Sequence, residues 1–448
     1  MGQTARLARY VCSLDYTAIP AEVVQRAKDC LLDSIGVGFY GSIKPWGKIV
    51  GALVRDRGGK GSSSIFGEPV KVSAASATLA NGTMIHGFEL DNVRQPGAGV
   101  HAGATIVPAL LAVSEEAHAT GKDFLTALVA GCEAMFRIGL ALGHGAEKRG
   151  FHAPGLTGTF GAATAVGKVL GLNVEQMIYA MGISGSLSSG LLEFSRATTG
   201  GMVKRLHLGR AAEGGLMAAL LACRGFRGPE TILEGEFGFC RVYSDSPQPG
   251  KLTAGLGEDF ETLNICIKRF PCHIYAQAPI EALLCLKRDY SFRAEEVEKI
   301  IVAGEEKLTT HHAIYEPKDV MMAQYSVPYS VALALWTDPE DPENFSEQNL
   351  SDPKILEVAR RVELLVDERI SQVKESRAAR VTVRLKGGRE LKHEVMHFRG
   401  TPERPLVAEE LDAKVERLTR HTFQQEEVRD LIEKVRHLEE LKDMGTLL

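Results

Sequence analysis

Small residues set the terms on which this chain can fold. Glycine occurs 46 times, much of it beside alanine and serine in stretches whose apolar residues recur at helical spacing. The sequence therefore predicts helices whose backbones pack close together. Residues 5–14, 21–40, 48–55, 73–86, 102–116, 124–142, 159–170, 174–185 and 204–222 read as such helices, with Pro20 opening the second as a first-turn proline. Gly155, Gly158 and Gly161 follow no strand and are spaced GxxGxxG, a pattern of close helix packing rather than of a dinucleotide cradle.

The character of the chain changes near residue 265. Alternating and β-branched residues mark a strand at 299–303 and a hairpin at 380–395 turning on Gly387 and Gly388, with helical pieces at 280–287 and 329–336 between them. Helical character returns after residue 401 and again at 424–438. At 448 residues the chain exceeds one ordinary domain. The expectation is a mainly α protein: a large all-α helical domain, 1–265, completed by 400–448 folding back on it, and a smaller α+β domain, 266–399.

A net charge of −5 gives no electrostatic case for nucleic acid or an anionic membrane. The eight cysteines are scattered without a CxxC pair, so neither a zinc site nor a disulfide framework is indicated, and a reducing cytoplasmic location is expected. The beginning of the chain, MGQTARLARYV, lacks a signal-type apolar core. No run of about 18 residues has the apolar continuity of a membrane span.

Chemistry-bearing residues recur where glycine and proline break the helices. The stretch NGTMIHGFELDNVRQPGAGVHAGATIVPA carries His86, Glu89 and Asp91, then a loop with Pro96, Gly97 and Gly99, then His101 at the start of the next helix. Two acids and a histidine on either side of a sharp turn can converge as an acid–base site; a solvated turn with an N-capping histidine fits the same residues. Arg149 and His152, Lys204 and His207, Arg269 and His273, and Tyr325 and Tyr329 stand at similar junctions. The adjacent His311 and His312 are poorly placed to share one metal ion, and the HxxxH and HExxH patterns of helical zinc sites do not occur, so no metal and no cofactor is expected.

Five blocks in order, NGTMIHGFELDN with VHAGATIVPA, RGFHAPGLTGTFGAA, VKRLHLGRAAEGG, RFPCHIYAQ and YSVPYSVALAL, resemble the MmgE/PrpD family across nearly the whole chain. That resemblance implies a helical domain and a smaller α+β lid domain, with a polycarboxylate site between them. It further implies a homodimer that works without metal or organic cofactor. Carried over by position, it implies Asp91, His101, Lys204, His273 and Tyr329 as catalytic residues. Glu89 and His152 are implied at the substrate-binding site, and Arg269, a cation able to hold a carboxylate bidentately, is a further substrate-binding candidate. The family often reads Asp-Phe-Asp-Asp where this chain has Glu89-Leu90-Asp91-Asn92, which leaves two candidate acids. Asp91 is favoured for its nearness along the chain to His101.

The activity implied is that of a hydro-lyase on a 2-methylcitrate-like di- or tricarboxylate. A base removes a proton α to a carboxylate and an acid protonates the departing hydroxyl. Epimerisation of the iminodisuccinate type and decarboxylation of the cis-aconitate type use the same kinds of group. A non-catalytic dimeric binding protein is the alternative of another class.

Overall fold

The computed structural model of the chain describes residues 2–97, 100–196, 201–373 and 377–448, so Gly99 of the predicted turn lies outside the described residues. The protein is mainly α and divides into two compact units. The first comprises Met1–Gly87, Asp91–Ile265 and Ala408–Leu448; the second comprises Phe88–Leu90 and Cys266–Val407.

Among the described residues, nine helices of ten residues or more carry the first part of unit 1: α1 Gln3–Ser13, α2 Ala21–Ser42, α3 Pro45–Arg57, α4 Ala74–Ile85, α5 Ala102–Ala117, α6 Gly121–Leu142, α7 Ala153–Val169, α8 Val174–Leu187 and α9 Val203–Cys223. The core is a stack in which α9 lies against α4, α5, α7 and α8, while α5 and α6 lie against α7. Glycine makes these approaches possible. A Cβ at Gly82 of α4 would stand 2.8 Å from the Cα of Gly209 on α9, and one at Gly215 of α9 would stand 2.4 Å from the carbonyl oxygen of Thr159 on α7. Bare backbone is what fits at such distances.

The sequence places the start of α7 at residue 159, whereas the helix begins at Ala153. Pro154 occupies the first turn, where a missing N–H costs nothing, and Gly155 and Gly158 serve helix contacts instead of breaking the helix. A second difference concerns α6, which is long and apolar enough by length and composition to cross a membrane. Its most apolar window is 94% buried within the protein, and its internal charges, Glu133 and Arg137, pair one turn apart at 3.3 Å. Helices Ala408–Thr419 and Gln425–Arg436 complete the unit, the former packed on α2.

Unit 2 is built on a four-stranded sheet of β1 Val297–Gly304, β2 Val362–Val366, β3 Ala379–Leu385 and β4 Glu390–Val395, in the order β2-β1-β3-β4. β1 and β2 run parallel, with Ile300 opposite Val362; β1 and β3 are antiparallel, as are β3 and β4, the predicted hairpin. The helix Ile274–Tyr290 packs on β3 and β4 and on the helix Val327–Trp336. β2 has no counterpart in the sequence reading, because its burial pattern covers too few residues to show an alternation.

Candidate active site

Four helix ends of unit 1 carry the candidate side chains. His86 is the C-terminal cap of α4, His101 the N-terminal cap of α5, His152 the N-terminal cap of α7, and Lys204 lies in the first turn of α9. Each sits where helix hydrogen bonding stops and the chain must turn. Because α4, α5, α7 and α9 pack on one another, their ends assemble these side chains from positions scattered along the sequence.

Asp91 is the hub. Its Oδ2 lies 3.0 Å from His86 Nδ1 and 2.8 Å from His101 Nδ1. An ionised carboxylate only accepts, so both imidazoles donate their Nδ1 hydrogens and carry the lone pair on Nε2. The carboxylate thereby fixes the tautomer and orientation of both rings. Burial alone would raise the Asp91 carboxyl, but the two imidazoles hold it well below the usual range. Burial, reinforced by the charge of Lys204 and opposed by Asp91, pushes His86 down to about 3. At neutral pH this is a carboxylate with neutral His86 beside it. Asp91 Oδ1 and His86 Nε2 are buried with no hydrogen-bond partner among the described residues, leaving polar capacity for a ligand.

The neighbouring groups extend the cluster. The ring centroid of His86 is 5.0 Å from that of His101 and 5.9 Å from that of His152. Burial, with the neighbouring histidines, holds His152 well below the ordinary range. Lys204 is buried, not a surface lysine, and faces these imidazoles closely enough to lower both His86 and His207. The loop between α4 and α5 is anchored by Asn92, whose amide donates to Asp33 Oδ2 at 2.9 Å and whose oxygen accepts from Gly103 N at 3.0 Å.

The candidate ligand atoms of His86, Asp91 and His101 lie within 4.8 Å of one another, a spacing that three metal ligands can have. Here both Nδ1 atoms point at one carboxylate oxygen at hydrogen-bond distance, and that pairing accounts for the cluster.

Unit 2 holds the remaining predicted site residues, Glu89, Arg269, His273 and Tyr329. Glu89, at a positive φ of 54°, pairs with Lys268, whose Nζ donates to the Glu89 carbonyl at 3.0 Å and stands 3.4 Å from its carboxylate. Of the two candidate acids, Asp91 is the one bonded to His101. Arg269 is engaged by Glu340, with its Nε donating at 2.6 Å, so a substrate carboxylate would compete with a carboxylate already in place. The buried cation beside Glu89 is Lys268, one residue earlier, which the sequence reading passed over.

His273 caps the helix Ile274–Tyr290 and stacks on His312 at 4.3 Å, with the Tyr325 ring at 4.8 Å. Tyr329 is in the hydrophobic interior, its ring 6.2 Å from Phe345, and burial raises its hydroxyl far above the ordinary range. In this unit the tyrosine beside the histidine is Tyr325. His86 and His207 were legible only as members of a junction; the fold gives each a partner.

The chain belongs to the MmgE/PrpD family. Its N-terminal domain matches residues 5–251 and its C-terminal domain residues 270–440. Among curated proteins the chain is similar to a cis-aconitate decarboxylase-like protein of Aspergillus oryzae, 34% identical over 69% of this chain and 67% of that protein. It is also similar to cis-aconitate decarboxylases of Aspergillus terreus (28% identical, 100% and 95% covered) and Homo sapiens (26% identical, 99% and 93% covered).

Proposed function

We propose that the protein is a lyase that decarboxylates cis-aconitate or a closely related unsaturated tricarboxylate. The observation that carries this reading is the His86–Asp91–His101 triad, with His86 and Asp91 buried and His101 partly exposed, and with Lys204 and His152 assembled around it. The names of the relatives move the expected reaction from loss of water to loss of CO2. Both reactions build enolate-like charge next to a carboxylate.

The chemistry balances without a redox step. When CO2 leaves the CH2–COO⁻ arm, the electron pair of the broken C–C bond becomes a new C=C bond. The former π pair then takes a proton at the old vinylic carbon. Lys204 supplies positive charge for the substrate carboxylates and for the charge that grows as CO2 departs. His101, with its Nδ1–H held by Asp91, takes up a proton at Nε2 before each turnover and delivers that proton to carbon, with His152 as a further polar contact.

Incubation with cis-aconitate should release one CO2 per substrate and leave an unsaturated C5 dicarboxylate. 2-Methylcitrate as sole productive substrate, with water lost and no CO2, would replace this reading with the dehydratase one.

We also propose a homodimer. Val203, Leu206 and Met217 lie along one face of α9 and are exposed, as are Ile49 and Leu53, one turn apart on α3. The two helices adjoin through Arg205 over the Trp46 ring at 3.8 Å. Exposed apolar side chains grouped this way support an interface between copies. Sedimentation should give twice the chain mass, and Leu206→Glu should shift it toward the monomer.

A further inference from the structure

The proposed chemistry gives no part to His207, one turn beyond Lys204 on α9. Its Nδ1 lies 3.2 Å from His152 Nδ1. Phe194 stands steeply tilted to both rings, with centroids at 5.3 and 5.8 Å, and His152 N donates to the Gly190 carbonyl at 3.1 Å. Gly190 has a φ of +130°, and a Cβ there would stand 3.3 Å from His207 Nδ1 and 3.5 Å from His152 Cβ. Glycine lets the backbone close against both side chains and hold them together.

At neutral pH both rings are uncharged, since burial lowers each of them. A neutral imidazole has one N–H and one lone pair, so two facing nitrogens at 3.2 Å need one of each. The two possible assignments leave opposite groups on His152 Nε2, on the side of its ring away from His207. With His152 donating, Nε2 carries a lone pair; with His207 donating, Nε2 carries an N–H. The surroundings favour the second. His86 Nε2 and Asp91 Oδ1 are acceptors with no hydrogen-bond partner among the described residues, and Asp91 holds its negative charge. Another bare acceptor beside them would be repelled, whereas the Asp91 charge attracts a proton on His152. Substrate carboxylates likewise only accept.

We propose that His207 is a positioning residue: its Nδ1–H, donated to His152 Nδ1, fixes His152 as an Nε2–H donor to a substrate carboxylate. The inference rests on the tricarboxylate reading above. Lys204 supplies the charge for such a ligand and His152 the directed hydrogen bond. No proton moves in this role, so His152 keeps one tautomer through every turnover.

Nitrogen NMR of the histidine rings tests this directly, with His152→Gln locating the His152 signals. The expected spectrum gives His152 a hydrogen on Nε2 and a bare Nδ1. Tricarballylate, a saturated tricarboxylate with no double bond to react, serves as the binding probe in calorimetry. His207→Leu removes the donor and should weaken tricarballylate binding about tenfold or more, with a matching rise in KM for cis-aconitate and a smaller change in kcat. His207→Asn, whose amide can donate from near the Nδ1 position, should recover most of the affinity. A His152 hydrogen on Nδ1, or tricarballylate held by His207→Leu as tightly as by wild type, would overturn the inference. So would equal losses in the Leu and Asn variants, the mark of a merely structural role. Wild-type protein that binds tricarballylate but releases no CO2 from cis-aconitate would instead overturn the decarboxylase reading.

Discussion

Lys414→Met reaches the site from the far end of the chain. Lys414, in the tail helix Ala408–Thr419, donates through Nζ to Asp33 Oδ1 at 2.5 Å, and both residues are buried. The other Asp33 oxygen accepts from Asn92, the neighbour of Asp91 in the loop that leads to His101. Burial holds the Asp33 carboxyl above its ordinary range even with Lys414 beside it. Removing one partner of a buried ion pair costs about 3–5 kcal/mol, because the remaining charge is left without compensation. For a unit of this size that corresponds to a fall in Tm of about 5–8 °C.

The pH dependence has a definite sign. An acid whose folded pKa is raised destabilises the fold as pH climbs through that pKa, and without Lys414 it is raised further. The loss in Lys414→Met should therefore be larger at pH 7.5 than at pH 5. Asp33→Asn combined with Lys414→Met should recover most of the stability, since the introduced amide can still accept from Asn92 and no buried charge remains. Thermal melts at both pH values decide the matter. A Tm within about 1 °C of wild type at pH 7.5, or a double variant no better than Lys414→Met alone, would refute the reasoning.

Other outcomes follow from the same geometry. Asp91→Asn cannot accept from both imidazoles and stay an anion, so kcat should fall at least about 100-fold with a smaller change in KM, as steady-state kinetics will show. His86 and His152, both depressed, are protonated more readily in the unfolded chain, so stability is full above about pH 6.5 and is lost as pH falls below it. Urea titrations of His86→Gln should show the acid-side slope reduced by about 1.4 kcal/mol per pH unit, one proton's worth. Gly158→Ala would place a Cβ 2.5 Å from Thr105 Cγ2, and Thr105 bonds to the His101 carbonyl at 2.6 Å. That substitution should cost about 1–3 kcal/mol in a melt and also lower activity, because the strain falls on the first turn of α5.

The helices and their breaks were readable because period and punctuation are local properties of the sequence. Asp91, His101, His152 and Lys204 stood out as candidates for the same reason, since titratable residues at helix ends are marked by the glycine and proline around them. What was hidden is what depends on partners. His86 looked like the last residue of a helix until Asp91 was seen to bridge it to His101. Pro154 and Gly155 looked like a break, yet the first is a helix start and the second a packing contact. Arg269 and Lys268 are adjacent cations in different settings, the first engaged by Glu340 and the second buried beside Glu89. Tyr329 and Tyr325 differ in burial, which their spacing in YSVPYS does not reveal. The contact of Lys414 with Asp33 joins residues so far apart in the chain that no local pattern could announce it.

Under the proposed function, the carboxylate-fixed histidines and Lys204 of the helical unit release CO2 from an aconitate-like tricarboxylate. Purified protein incubated with cis-aconitate in deuterated water, followed by mass spectrometry and by CO2 trapping, tests it most directly. The expected result is equimolar CO2 and a C5 dicarboxylate carrying one solvent deuterium at carbon, with Lys204→Ala and His101→Ala inactive. Intact cis-aconitate after prolonged incubation with wild type, or full activity in either variant, would contradict it.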